Sequence, residues 1–455
     1  MTLRVSEHGE LNPTKVLYIG GNLSQNKGGA AIILSSHKAL RNYIPNIEFA
    51  FTSIIPKYDS GPSKYYGIRM VSEGNSNISM LMILLPSRLI RCLLWNIFNS
   101  LFNQNISCLL NDDVLNEYAK SDIVLEVSGD GLSGDYGIFS AYMSFSRILF
   151  CVLLKKNYII YAQSIGPYNI KWPFLKKHSP FLSLFCKHIA KYTLNKADLI
   201  TAREPLTLEI LRSLGIITPP IYLTSDSAFL LDSAPDSDIS KIFLNHGINQ
   251  TEKLIGISVS ESISMLNYDS NSSLAHNTYE DIISHIVDYV TEKFNMRVVF
   301  IPHVTGPGLK NDDRIKAQKI YNNIKNKSRV ILIFDDLGPE ILKGMIGRCE
   351  LFIGSRMHAN IAAISMRVPT IAIGYSHKTR GIMTAAGQED FICDFNKLSL
   401  DDITQKIDAI WENRDSVKRE LDICVSILEL KAGYNAKLVA EFLSDTKSTN
   451  GAKKG

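Results

Sequence analysis

The residues best suited to chemistry are Arg356 and His358, within Gly354-Ser355-Arg356-Met357-His358-Ala359-Asn360. A guanidinium holds a carboxylate or phosphate through paired hydrogen bonds, and an imidazole can move a proton near neutral pH. The apolar run Leu351-Phe352-Ile353 precedes them, and Ala359, Ile361, Ala362, Ala363 and Ile364 follow. This pattern predicts a buried strand turning into a helix. Such a corner lies outside the carboxyl end of a strand, where open α/β sheets bind ligands and a helix start offers N–H groups to an anion. The plain alternative gives Arg356 a surface carboxylate partner and His358 a capping role.

Other strand ends carry polar groups too. Val16 to Ile19 runs into Gly20-Gly21-Asn22, and Asn26-Lys27-Gly28-Gly29 then opens a helix through Leu40. That loop can cradle an anionic or sugar-like ligand, or simply make a tight turn. Ile123 to Val127 ends in Ser128-Gly129-Asp130-Gly131, Tyr158 to Ala162 in Gln163-Ser164, and Leu199 to Ala202 in Arg203-Glu204. Three successive strands thus present polar groups at one sheet edge. An ion pair with Glu204 or Glu209 is the simpler reading of Arg203, and a helix cap that of Asp226. In the second half, Leu254 to Val259, Val298 to Ile301, Val330 to Phe334, Leu351 to Ile353 and Thr370 to Ile373 read as strands. His303, after the second, is the rival of His358 for a chemical role, unless it bonds a backbone carbonyl. Tyr375 to Lys378 add polar groups after the last. No H-E-x-x-H, Cys/His cluster or G-x-S-x-G is present, so neither a protein-bound metal nor acyl chemistry is expected.

The elements positioning these residues alternate strand and helix, so the fold expected is α/β with parallel sheets. At 455 residues the chain exceeds the usual reach of one core. We expect two Rossmann-like domains facing a cleft, 15–235 and 252–400, joined through the polar stretch around 235–252. A flexible start at 1–14, helices over 401–443 and a loose tail at 444–455 complete the division. The net charge of +4 argues against a nucleic-acid partner. Seven cysteines without metal or disulfide spacing, and a polar start lacking a signal-peptide core, point to the cytoplasm. Ile78 to Phe102 is rich in Leu, Ile and Phe but interrupted by Pro86, Arg88 and Arg91. It reads as a helix against a domain core. A helix resting peripherally on the inner membrane face is the second reading.

Together these segments resemble the polysaccharide pyruvyl transferase family. The resemblance runs from about Lys15 to Met383, and its most specific piece is Ser355-Arg356-Met357-His358-Ala359, similar to the family's Ser-Arg-Leu-His-Ala. It implies a fold like that of the two-domain GT-B glycosyltransferases, phosphoenolpyruvate as co-substrate with no bound cofactor, and a sugar of a cell-surface polysaccharide or its precursor, free or lipid-linked, as acceptor. It makes Arg203 and Arg356 donor-binding cations, with Ser355 beside them, and His358 the essential histidine. Asp130 matches an acidic position in the glycine-rich loop. Asn26, Gly28, Gly129, Gly131, Gln163 and His303 are the further loop or acceptor contacts. One departure is Gly29, where the family commonly has aspartate.

Ketal formation needs C3 of the enol protonated while a sugar hydroxyl attacks C2. His358 is the expected acid and Asp130 the expected base. The other classes are a sugar-nucleotide glycosyltransferase of the same architecture, which would release nucleoside diphosphate, and a binding protein that bound ligand without turnover.

Overall fold

A computed structural model of the chain describes residues 12–74, 78–171, 178–261, 278–374 and 377–452. Tyr375 and Ser376 therefore lie outside the described residues, as do residues 1–11 of the expected flexible start. The chain divides into two compact units. The first comprises Met1–Ser24, Ile32–Ser227 and Lys431–Gly455, and the second Gln25–Ala31 and Ala228–Leu430.

The first unit carries a seven-stranded parallel sheet: β1 (Thr14–Ile19), β2 (Ile47–Ser53), β3 (Arg69–Ser72), β4 (Ile123–Glu126), β5 (Tyr158–Gln163), β6 (Leu199–Ala202) and β7 (Ile221–Leu223). Their spatial order is 3-2-1-4-5-6-7. The chain starts in the middle, winds to one edge, then returns to lay β4 beside β1 and winds the other way. That reversal leaves a crevice at the carboxyl ends of β1 and β4. The second unit repeats the plan with β8 (Leu254–Ser258), β9 (Arg297–Phe300), β10 (Val330–Leu332), β11 (Cys349–Gly354), β12 (Thr370–Gly374) and β13 (Ile392–Asp394), in the order 10-9-8-11-12-13. Its reversal falls between β8 and β11. Strands such as β4, β5 and β11 read as near-continuous apolar runs because helices cover both faces of a parallel sheet.

Three expected boundaries are corrected. The loop Gln25–Ala31 belongs to the second unit, not to a first domain of 15–235, because its backbone is stitched there. Asn26 bridges Val304, Lys27 N–H donates to the His303 carbonyl at 3.1 Å, and Thr305 N–H donates to the Gln25 carbonyl at 3.0 Å. The junction lies at Ser227/Ala228 rather than within 235–252. The polar stretch hides an amphipathic helix, Asp236–Asn245, whose Ile239 and Phe243 are buried in the second core. Helical structure also runs past 444. The last helix, Arg414–Ala452, continues with Leu443 buried, and its part from Lys431 joins the first unit. There Asn435 Nδ2 donates to the Ser225 carbonyl at 3.0 Å and Asn435 Oδ1 accepts from Thr224 Oγ1 at 2.8 Å.

Candidate functional site

The corner after β11 is built by short local bonds. Asn360 Nδ2 reaches back to the Gly354 carbonyl at 3.2 Å, fixing the start of helix Met357–Ser365 on the strand end. Ser355 N–H donates to the Ser258 carbonyl at 2.7 Å across the reversal, and its hydroxyl pairs with that of Tyr279 at 2.6 Å. Arg356 is the extended residue just before the helix. Its Nη2 lies 2.6 Å from Asp313 Oδ1, and its Nε bridges both carboxylate oxygens at 3.1 Å. Asp313 is wholly buried and also accepts from Val304 N–H at 2.9 Å and His303 N–H at 3.3 Å. A buried carboxylate persists only when it is so compensated, and this one ties the loop after β9 to Arg356.

The amino-terminal loop closes on the same corner. Asn26 Oδ1 accepts from the N–H groups of Gly28 at 3.1 Å and Gly29 at 3.4 Å, capping helix Lys27–Tyr43. Lys27 is buried, its ammonium 2.5 Å from Asp336 Oδ1. Gly28 packs against the His358 ring so closely that a Cβ there would overlap it, and a larger residue would have to displace the ring. His303 is buried, and its Nδ1 has no hydrogen-bond partner among the described residues. Burial, followed by the neighbouring charges of His358, Arg356 and Lys27, pushes its pKa down to about 3. A neutral imidazole thus sits among cationic groups at the carboxyl ends of β8, β9 and β11. Such a place suits an anion.

The first unit gathers the remaining expected residues at the carboxyl ends of β4, β5 and β6. Arg203 has no solvent-exposed side-chain surface. Its Nη1 lies 2.6 Å from Asp226 Oδ2 and its Nε donates to Ser164 Oγ at 2.8 Å. The partner is therefore Asp226 and not Glu204, whose carboxylate instead caps helix Pro205–Leu214 through Thr207. Gln163 is likewise spent inside: Nε2 donates to the Glu126 and Tyr161 carbonyls, and Oε1 accepts from Ser128 Oγ at 3.2 Å. Ser128 Oγ accepts from Gly131 N–H at 2.9 Å, and the Gly129 carbonyl accepts from Ser164 N–H at 2.8 Å, so both glycines shape the loop. Asp130 is half-buried and accepts from the Tyr136 hydroxyl at 2.6 Å.

Three residues at these sites were passed over in the sequence. Lys27 lay in a loop read for its glycines, and Asp313 lies in Asn311-Asp312-Asp313-Arg314, a segment that drew no site reading. Glu126 is the third. It is almost completely buried at the reversal of the first sheet, where burial, opposed by bonds from Ser128, raises its carboxyl from 4.5 to about 7. Its Oε1 accepts from Ser128 N–H at 3.3 Å, and a Cβ on Gly20 (φ +87°) would come within 2.5 Å of that oxygen. The available signal was one charge inside the apolar run Ile123-Val124-Leu125-Glu126-Val127.

Two doubly wound parallel sheets, each with its polar residues at the reversal, define a protein of the GT-B-like α/β class. Solved structures agree. A UDP-GlcNAc 2-epimerase from Neisseria meningitidis bound to UDP-GlcNAc superposes with a TM-score of 0.58 at 15% identity over 95% of this chain and 100% of that one. A glycosyltransferase from Rickettsia africae ESF-5 gives 0.55 at 12% identity over 95% and 99%. At such identities the likeness concerns the fold alone. The chain belongs to the polysaccharide pyruvyl transferase family, whose profile matches residues 26–377. It is also 25% identical over 312 residues to the amylovoran biosynthesis protein AmsJ of Erwinia amylovora, spanning 68% of this chain and 69% of that protein. A transferase of polysaccharide biosynthesis is the activity this membership supports.

Proposed function

We propose that the protein transfers the pyruvyl group of phosphoenolpyruvate to two hydroxyls of a sugar in a cell-surface polysaccharide or its precursor. The observation that carries this reading is the second unit's gathering of Lys27, Arg356 and His358 around the buried His303. Phosphoenolpyruvate brings a carboxylate and a phosphate, and cations at a sheet reversal suit both. Arg356, oriented by Asp313, is the donor-binding guanidinium. Lys27 adds charge, and Ser355 holds the corner to β8.

In the reaction, one sugar hydroxyl adds its oxygen to C2 of the enol while C3 takes a proton from His358. The hydroxyl proton passes to a base, for which Asp130 is the candidate. Phosphate then leaves C2 with its bonding electrons as the second hydroxyl closes the ketal and gives up its proton. Phosphoenolpyruvate and a diol thus yield a ketal and inorganic phosphate. Proton transfer by a positioned group contributes roughly 10²- to 10⁴-fold. Arg203, the second donor-binding cation that the resemblance implies, is sealed against Asp226 with no exposed side-chain surface, so it is left to the fold and donor binding rests on Arg356.

The test is mass spectrometry of candidate glycans incubated with the full chain and phosphoenolpyruvate. A pyruvate adduct accompanied by phosphate release supports the proposal. Release of nucleoside diphosphate from a nucleotide sugar, with no adduct, overturns it.

A further inference from the structure

Helix Ile78–Phe102 is amphipathic in an inverted sense. One face packs into the first core through Leu81, Leu85 and Cys92, at spacings of four and seven, with Arg88 between them. The Arg88 guanidinium is held there by Asp112 at 3.1 Å and the Glu73 carbonyl at 2.8 Å. A helix pinned in this way is part of the domain, not a free membrane span, although Met80–Phe102 is long and apolar enough to cross one. Its other face is where a surface helix would ordinarily be polar. Instead it exposes Ile83 (73%), Ile90 (59%), Leu101 (73%) and Phe102 (61%).

The pattern recurs next door. Helices Ile78–Phe102 and Pro180–Leu194 both pack against helix Gly137–Leu153. Pro180–Leu194 buries Cys186, Ala190 and Leu194 while exposing Phe181 (71%), Leu184 and Phe185. Gly137–Leu153 adds exposed Phe139. These three helices, of 25, 17 and 15 residues, contain no Asp or Glu, although those residues make up 45 of the chain's 455. Lys187 and Lys191 are exposed on the third helix, and Lys155 follows the second. Exposed aromatic and aliphatic side chains with lysines and no acids complement an anionic, apolar-cored surface.

We propose that this three-helix face of the first unit docks the protein on the surface of an anionic phospholipid bilayer. The apolar side chains enter the headgroup boundary and the lysines pair with lipid phosphates. A lipid surface is favoured over a second copy because a self-complementary patch would set these lysines against each other without a carboxylate to meet them. Docking is independent of the donor chemistry, so it can stand or fall apart from the proposed reaction.

The test is co-sedimentation of the full chain with vesicles of phosphatidylcholine alone or with phosphatidylglycerol. The expected result is binding to the anionic vesicles that weakens with salt. It should fall at least tenfold in Ile83→Ser/Phe181→Ser and, separately, in Lys187→Glu/Lys191→Glu, with circular dichroism spectra unchanged. Both pairs change only exposed positions, so either carries the test if the other fails to fold. No binding to anionic vesicles, or a dimer in light scattering abolished by the same variants, overturns the proposal.

Discussion

The two sheet reversals share one topology and hold opposite chemistry. At β8/β11 two cations, Lys27 and Arg356, stand paired with Asp336 and Asp313 beside the imidazole of His303, which burial keeps neutral. At β1/β4 the prominent group is an acid, Glu126, whose carboxyl is raised by burial to about 7. The topology makes the crevice, and a few side chains decide what each crevice can hold. Arginine shows the same contrast. Arg203 is sealed with Asp226, whereas Arg356 keeps 13% of its side-chain surface exposed while held by Asp313. A charge with both partners buried serves the fold, and one with an open side can serve a ligand.

The comparison can be broken most severely at His358. Replacement by Gln is expected to lower turnover by roughly 10²- to 10⁴-fold with the fold intact, measured as phosphate release from phosphoenolpyruvate in the presence of acceptor. Near-normal turnover would remove it from the chemistry. Next comes the buried pair in the first unit. Asp226→Asn leaves the Arg203 charge uncompensated and should cost about 3–5 kcal/mol in urea unfolding. A loss below about 1 kcal/mol would mean the pair is far less structural than its burial indicates.

The acid and the imidazole sharpen the contrast through pH. Glu126 binds its proton more tightly folded than unfolded. Its contribution is therefore complete below about 4.5 and is lost as pH rises through about 7. Glu126→Gln should remove a decline of roughly 3 kcal/mol across that window in denaturant melts. His303 has the reverse sign: its pKa is lowered from 6.5 to about 3, so stability falls as pH drops through that interval. His303→Gln should flatten the acid limb and leave the Glu126 limb in place. The smallest effect concerns the loop. Gly28→Ala should cost about 1–3 kcal/mol in thermal unfolding because its methyl would overlap the His358 ring. An unchanged melting temperature would show that the ring can move aside.

Most sheet strands were legible as apolar runs ending in glycine or polar residues, and β11 with its helix start was the clearest of them. The strands left unread have physical reasons. Glu48 interrupts β2, β3 is a four-residue edge strand with Arg69 and Ser72 exposed, β7 and β13 are three-residue edge strands, and Tyr222 and Leu223 in β7 are exposed. Arg356 and His358 could be read because their neighbours in sequence build their corner. Asp313 and Lys27 could not, since their partners lie 43 and 309 residues away in the chain. The apolar helix at 78–102 was placed correctly against a core. Its exposed second face is set by which side the core occupies, and composition alone does not reveal that.

Calorimetric titration with phosphoenolpyruvate, in parallel on the native chain and on Arg356→Lys, tests the central assignment most directly. A lysine keeps the charge but loses the paired hydrogen bonds of the guanidinium. The account predicts saturable binding to the native chain and affinity at least tenfold weaker in the variant, a difference of about 1.4 kcal/mol or more. Equal affinity in both, or no binding to the native chain, would contradict it.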